Sequence, residues 1–549
     1  MAAQAPLPEP PIISARDLSR AFKQRGFIIQ ANAVRGLQNA LKPGPGIVAE
    51  KEVVLSWVDN VIAHLTKKID NGGGGIVGNV VTEALMSEVV AELTRDQDDI
   101  VRDSLQVISA FDTPIVKFDT VNKSFYFGSR EKAKSLHGTP ESKVTMYRDR
   151  LDMIQQRLQR NKNFAAPSSG FSTNASRVFV ELSTLDSLIG LSGRKNLMGI
   201  LVQREEGQYY LEDLNGSIRL DLKGAKPTAG LFTEGCIVVV DGILHEEVFY
   251  VKAMGFPPPE DRGVTMRAMQ TLDLTRLVGY SVQEEAEMIE LEQASEDAVF
   301  VTFSDVHLDN PAVFEKIKTV FDGFDRVGTV PQLFMFLGNF TSRPFGQGKD
   351  DGAHFKRYFD ELGDLIKAYP AFLKGSRFVF VPGPTDPGAG NVLPRQPLPQ
   401  FFTDGIRAKV ANVEFTSNPC RIRYYTQEIV VCRQNILNKM RRHCVVPPAD
   451  NTADQAGVIA EHLVKTLMDQ SHLCPLPMTV QPVYWNYDNA LRLYPLPDLL
   501  ILGDYYDQFH YRYQNCAVLN PGSFPTDFSF ICYRPSNRGI EFSSVAGVH

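Results

Sequence analysis

The stretch Ala298-Val299-Phe300-Val301-Thr302-Phe303-Ser304-Asp305-Val306-His307 decides the fold of the C-terminal half. An apolar run from Ala298 to Phe303, rich in β-branched and aromatic residues, reads as a buried strand, and it breaks into a polar Asp-Val-His turn. The unit then recurs. Leu333 to Leu337 runs into Gly338-Asn339-Phe340, Phe378 to Val381 into Gly383-Pro384-Thr385-Asp386, and Leu499 to Leu502 into Gly503-Asp504-Tyr505-Tyr506. Helical periodicity at 311–324, 353–369 and 454–470, a hairpin near 421–432 and strands at 516–519 and 528–533 complete the segment. Short apolar strands alternating with helices predict a two-layer or sandwiched α/β domain whose loops gather at the strand ends.

Taken in order, those loops resemble the ligand loops of two-metal, calcineurin-like phosphoesterases with the ligands exchanged. Such enzymes hold their ions about 3.5 to 4 Å apart and need a bridging carboxylate between them. Asn339 stands where that carboxylate belongs and brings no charge. Pro384 replaces an asparagine ligand. Thr385 replaces the histidine that would protonate the leaving alkoxide, which a neutral hydroxyl cannot do. Asp504 and Tyr506 replace two histidines. Asp305, His307 and His472 survive, enough at best for a weak single-ion site. Each also has an ordinary structural reading: Asp305 and Asp386 as turn or cap residues, His307 and His472 as hydrogen-bonded histidines. The sequence therefore assigns no catalytic residue, no metal site and no cofactor to this pocket.

Upstream, the period switches to that of strands. Met198 to Val202, Tyr209 to Leu211, Ile218 to Leu222, Cys236 to Ile243 and Val248 to Val251 are five short runs punctuated by Gly207, Asn215-Gly216 and Gly235. They predict a five-stranded OB-type barrel within 166–260. Barrels of this kind often bind single strands through a basic groove with exposed aromatics. Here Glu205, Glu206, Glu212, Asp213, Asp221 and Asp241 line the strands and turns, which favours protein docking over a phosphate backbone.

Residues 1–95 predict a small bundle of four helices, around Leu18 and Phe22, Val34 to Leu41, Val53 to Leu65 and Val81 to Leu93, broken at Pro43-Gly44-Pro45-Gly46 and at the glycines 72–75. Residues 96–165 read as a polar tether followed by a charged amphipathic helix, and 261–549 as the phosphoesterase-like domain. The expected class is thus multidomain α+β. A length of 549 residues suits three or four domains, and 43% hydrophobic with 22% charged residues is ordinary globular composition. The formal charge of −7 gives no bulk attraction to nucleic acid. Seven scattered cysteines without a C-x-x-C pair predict reduced, buried thiols rather than a zinc ribbon or disulfide frame. No signal-peptide pattern and no membrane-length apolar run are visible.

The order of barrel and degenerate phosphoesterase resembles the B subunits of the eukaryotic replicative DNA polymerases. Matching segments are Gly338-Asn339-Phe340-Thr341-Ser342, Val381-Pro382-Gly383-Pro384-Thr385-Asp386-Pro387-Gly388, Ser471-His472-Leu473-Cys474-Pro475, Leu502-Gly503-Asp504-Tyr505-Tyr506 and Asn520-Pro521-Gly522-Ser523-Phe524. With the N-terminal helices added, the chain is most similar to the polymerase epsilon branch of that family. The resemblance implies a nuclear, non-catalytic scaffold. Its barrel and phosphoesterase domains would grip the cysteine-rich C-terminal domain of the catalytic subunit. Its N-terminal helices would contact the GINS part of the replicative helicase on the leading-strand side, and DNA would be met through the complex. Competing readings are the B subunit of polymerase alpha or delta, an active metallophosphoesterase with a reduced ligand set, and a single-strand-binding protein.

Overall fold

The computed structural model describes residues 15–24, 27–40, positions 61, 80–83, 85–87 and 89, and then 104–128, 135–165, 179–269, 282–448 and 456–545. Two compact units divide the chain, one reaching from the N-terminus to Ser104 and the other beginning at Leu105.

In the N-terminal unit, helices Ala15–Gln24 and Ala31–Ala40 bury Leu18, Phe22, Val34 and Leu37 against Val61, Val81, Met86 and Val89. Their apolar residues recur at helical spacing, so one face of each helix closes the core. A short parallel pair, Ile28–Ile29 with Val80–Val81, joins the first helix–helix connection to the distal segment, a feature the all-helical expectation lacked. Most of the expected third helix (53–65) lies outside the described residues.

The second unit is built on two six-stranded sheets. The first runs Val413–Phe415, Arg377–Val381, Leu333–Leu337, Phe300–Ser304, Ser529–Arg534, Gly539–Ser544, its first four strands parallel. Both faces are covered, which is why these strands read as unbroken apolar runs. Val301, Phe303, Phe334, Phe336, Phe378 and Phe380 pack under helices Pro311–Val327, Asp351–Lys367 and Gln400–Lys409. From the opposite face, Phe300 meets Tyr424 of the second sheet edge-on, with ring centroids 5.0 Å apart. That second sheet runs Phe509–Tyr513, Cys516–Asn520, Leu499–Gly503, Gln427–Arg433, Cys420–Tyr424, Leu105–Ser109, and helix Ala456–Gln470 covers its outer face.

Leu105–Ser109 corrects the sequence reading. The stretch expected to be a tether supplies an edge strand, antiparallel to Cys420–Tyr424, before the chain enters the barrel. Val116–Asp119 and Ser124–Phe127 then form a hairpin. Helix Pro140–Leu158, capped by Thr139, is bound down by two arginines. Arg150 pairs with buried Asp488, and buried Arg157 donates to Ser471 Oγ and to the carbonyls of Asp469 and Pro257. The described residues from 105 onward therefore belong to the body, and its second sheet is assembled from both sides of the barrel in sequence.

The five expected barrel strands are Gly193–Glu205, Gln208–Glu212, Ser217–Asp221, Ile237–His245 and Val248–Gly255. They close into a ring. The first strand pairs with the second, the second with the third and the third with the fifth, while the fourth bonds both the fifth and the first. The ring docks on helix Ala456–Gln470 through fixed polar contacts. Gln470 accepts from Ile237 N–H and donates to Ile237 C=O, both at 2.7 Å, and His462 and Thr466 accept from Gly230 and Leu231 N–H groups. All seven cysteines are free thiols and six are buried, as the scattered spacing predicted.

Candidate functional site

The loops that follow Phe300–Ser304, Leu333–Leu337, Arg377–Val381, Gln427–Arg433 and Leu499–Gly503 converge at one end of the two sheets. Glycine makes that convergence possible. A Cβ on Gly338 would run into the Asp386 carboxylate and Gly383 N–H, and one on Gly383 into the Asn339 amide. A Cβ on Gly503 would sit 2.8 Å from Arg433 Cδ and 2.9 Å from Ser304 Oγ.

At the centre lies the side chain of Arg433, which is fully buried. Its Nη2 pairs with Asp305 Oδ1 and its Nε donates to Gly338 C=O. Its Nη1 donates to Gly503 C=O at 2.8 Å and to Asn435 Oδ1 at 2.7 Å. Asp305, in the left-handed backbone region that Asp tolerates, also accepts from Asn339 N–H at 3.3 Å and Asn339 Nδ2 at 3.4 Å. Asn339 Oδ1 in turn accepts from Thr385 N–H at 3.0 Å, so its only possible ligand atom is engaged. Pro384 offers its carbonyl to Arg395 at 3.3 Å.

Asp386 is a clamp between loops. Its two oxygens accept from Phe340 and Gly383 N–H groups, each at 2.7 Å, and burial pushes its carboxyl up to about 6 despite those donors. Asp504 Oδ2 accepts from Ile436 and Leu437 N–H at 2.7 and 2.8 Å, and burial raises its carboxyl too. His307 is half-buried beside Asp305, and desolvation lowers its ring. Tyr506 packs its ring against the apolar core of the second sheet.

Of the nine positions singled out in the sequence, Asp305, Asn339, Pro384, Thr385, Asp386 and Asp504 are joined through these loops, with His307 and Tyr506 beside them. His472 is not. It sits under helix Pro140–Leu158, bonded to Asp488 and Cys474 N–H. The residues missed were Arg433, Asn435 and Asn418. Asn418 ties Pro382 C=O of one sheet to the backbone of Arg433 in the other. The one available signal was a charged residue ending the apolar run Ile429-Val430-Val431-Cys432 at the same end as the motif loops.

A two-metal centre does not fit this arrangement. Asn339, expected from the sequence at the bridging position, is a committed amide, and a guanidinium already holds the carboxylate of Asp305. Among the described residues, no group of three or more His, Cys, Asp or Glu side chains is placed to hold a metal ion.

Residues 300–511 match the DNA polymerase alpha/epsilon B-subunit family. Residues 140–258 match the DNA polymerase epsilon subunit 2-like OB-fold domain, a match that begins at the helix bound by Arg150 and Arg157. The DNA polymerase epsilon B subunit of Arabidopsis thaliana is 41% identical over 80% of this chain and 83% of the relative. DNA polymerase epsilon subunit 2 of Homo sapiens is 37% identical over 98% of this chain and 99% of its own length. The Schizosaccharomyces pombe B subunit is 30% identical over 76% and 72% respectively. Among solved structures, an archaeal phosphodiesterase aligns with 45% of this chain and 99% of its own at 9% identity and a TM-score of 0.25, a likeness that carries no functional information.

Proposed function

The chain belongs to the family of DNA polymerase epsilon B subunits, and from that premise we propose that it is a non-catalytic scaffold of the polymerase, acting in the nucleus. The body from Leu105 onward binds the cysteine-rich C-terminal domain of the catalytic subunit, and the N-terminal unit links the polymerase to GINS and the replicative helicase. One observation supports the non-catalytic reading: the buried Arg433 guanidinium holds Asp305 and fills the space among the loops that resemble phosphoesterase ligand loops. A guanidinium cannot lose a proton near neutral pH, and it brings no water to ionise.

Protein docking is also supported at the barrel. Ile189, Leu191 and Leu214 are exposed there, on two segments tied together by the 2.9 Å bond from Leu185 N–H to Asp213. Tyr210, half of the strand pair that could stack bases, lies under the Arg204 guanidinium at 4.7 Å, and Arg204 is itself paired with Glu212. That pairing engages the Arg204 charge that would otherwise serve a strand stacked on Tyr210.

Purified protein should hydrolyse no model phosphodiester and carry well under one equivalent of transition metal. Co-expression with the catalytic subunit should raise its yield and melting temperature, because a constitutive partner binds the folded form only. Turnover that disappears in Asp305→Ala would overturn the reading, as would identical behaviour with and without the catalytic subunit.

A further inference from the structure

Arg433 does more than neutralise one carboxylate. Its donors reach four oxygens: the Asp305 carboxylate, the Gly338 and Gly503 carbonyls and the Asn435 amide. Asp305 and Gly338 follow strands of the first sheet, whereas Gly503 and Arg433 itself end strands of the second. One planar cation thus joins the ends of both sheets. A carboxylate, an amide oxygen and carbonyl oxygens are also the donor set that a hard divalent cation takes. A second oxygen of Asp305 is buried and has no hydrogen-bond partner.

We propose that Arg433 is a covalently carried replacement for a metal ion: it occupies a latent cation site and clamps the two sheets as a bound ion would. This deepens the non-catalytic reading and rests on it. The guanidinium supplies a fixed positive charge with directed donors, needs no metal supply and cannot be stripped by a chelator. What it lacks is an open coordination position, so the clamp is kept and the chemistry is not. The close approach of Gly503 to Arg433 Cδ fits the same account, since any larger residue at 503 would displace the arginine stem.

Removing the guanidinium should expose the site to a real ion. In the full chain, wild type should melt at the same temperature with millimolar Mn²⁺ or with EDTA. Arg433→Ala should melt several degrees lower, with millimolar Mn²⁺ restoring at least half of the loss. Arg433→Lys should also melt lower, because one ammonium cannot reach all four oxygens, and Mn²⁺ should not restore it. In the double variant Arg433→Ala/Asp305→Asn, Mn²⁺ should restore nothing. The proposal fails if folded Arg433→Ala gains nothing from Mn²⁺, if the double variant gains equally, or if wild type itself is stabilised. Should Arg433→Ala not fold, Asp305→Asn decides: its melting temperature should fall, and one equal to wild type overturns the clamp. None of these outcomes touches catalysis, since phosphodiester hydrolysis by wild type would overturn the non-catalytic reading however the melting series fell.

Discussion

At His472 both ring nitrogens are committed. Nδ1 accepts from Cys474 N–H at 3.0 Å, which places the proton on Nε2, 3.2 Å from Asp488 Oδ1. Asp488 is also gripped by Arg150. Burial, and then the charge of Arg150, push the His472 ring down to about 4, outweighing the pull of Asp488. Burial would raise Asp488, but Arg150 and His472 together hold its carboxyl well below the usual range. The sign for His472 follows from linkage. Its folded-state value lies below the unfolded 6.5, so its contribution is full above pH 6.5 and is lost as pH falls toward 4. A shift of this size corresponds to about 3 kcal/mol at full extent. Asp386 works the other way: raised to about 6 by burial, it favours the folded state at low pH and loses that contribution as pH rises through 6. The expected outcome for His472→Gln is a loss of stability that is greatest near pH 7 and shrinks steadily toward pH 4.5. Asp386 is common to both proteins and cancels in the difference. Urea unfolding of the pair across that range measures it, and a stability difference that is constant with pH would show that His472 does not titrate as described.

The strand Leu105–Ser109 gives the corresponding case for an element. It pairs residue for residue with Cys420–Tyr424, whose five residues are all buried, and Ala110 N–H donates to Ser417 Oγ at 2.7 Å. A fragment 105–549 should therefore melt within a few degrees of the full chain. A fragment 129–549 should melt markedly lower and aggregate, because it uncovers a buried strand edge. Equal melting of the two fragments, followed by circular dichroism, would show the strand to be dispensable. Periodicity could not announce this strand because edge strands are half-exposed: Gln106 and Ser109 break the apolar run, and the pairing partner lies some three hundred residues away. Central strands were legible for the opposite reason. Ala298 to Phe303, Leu333 to Leu337 and Leu499 to Leu502 stand out because both faces must be apolar. The barrel strand seen as Met198 to Val202 extends over Gly193–Glu205 because ladder bonds continue through polar residues that periodicity cannot weigh. In the site, Gly338, Gly383 and Gly503 were readable, since only glycine lets these loops close. Arg433 was not, because its role exists only once two sheets bring four oxygens to it.

At the scale of the whole molecule, the described core residues of the N-terminal unit come from within its own sequence, Leu18 to Val89, and the body begins at Leu105. That body is held together by contacts that join far-separated segments: Arg157 to Ser471, Gln470 to Ile237, Asn418 to Arg433. A unit that closes its own core can be removed without opening the core of the other. Deleting residues 1–95 should accordingly leave the melting temperature of the body and its capture of the catalytic subunit unchanged. The same deletion should abolish attachment to GINS and the helicase, since the proposed division of labour gives that partner to the N-terminal unit alone. Linking two modules in one chain raises the effective concentration of each partner near the other, so the intact protein should recover polymerase and helicase together from one pull-down. Mixing the two halves as separate chains should recover each partner singly. If the deletion dissolves the polymerase complex, the body does not suffice to bind the catalytic subunit. If helicase attachment survives the deletion, the N-terminal unit is not the bridge.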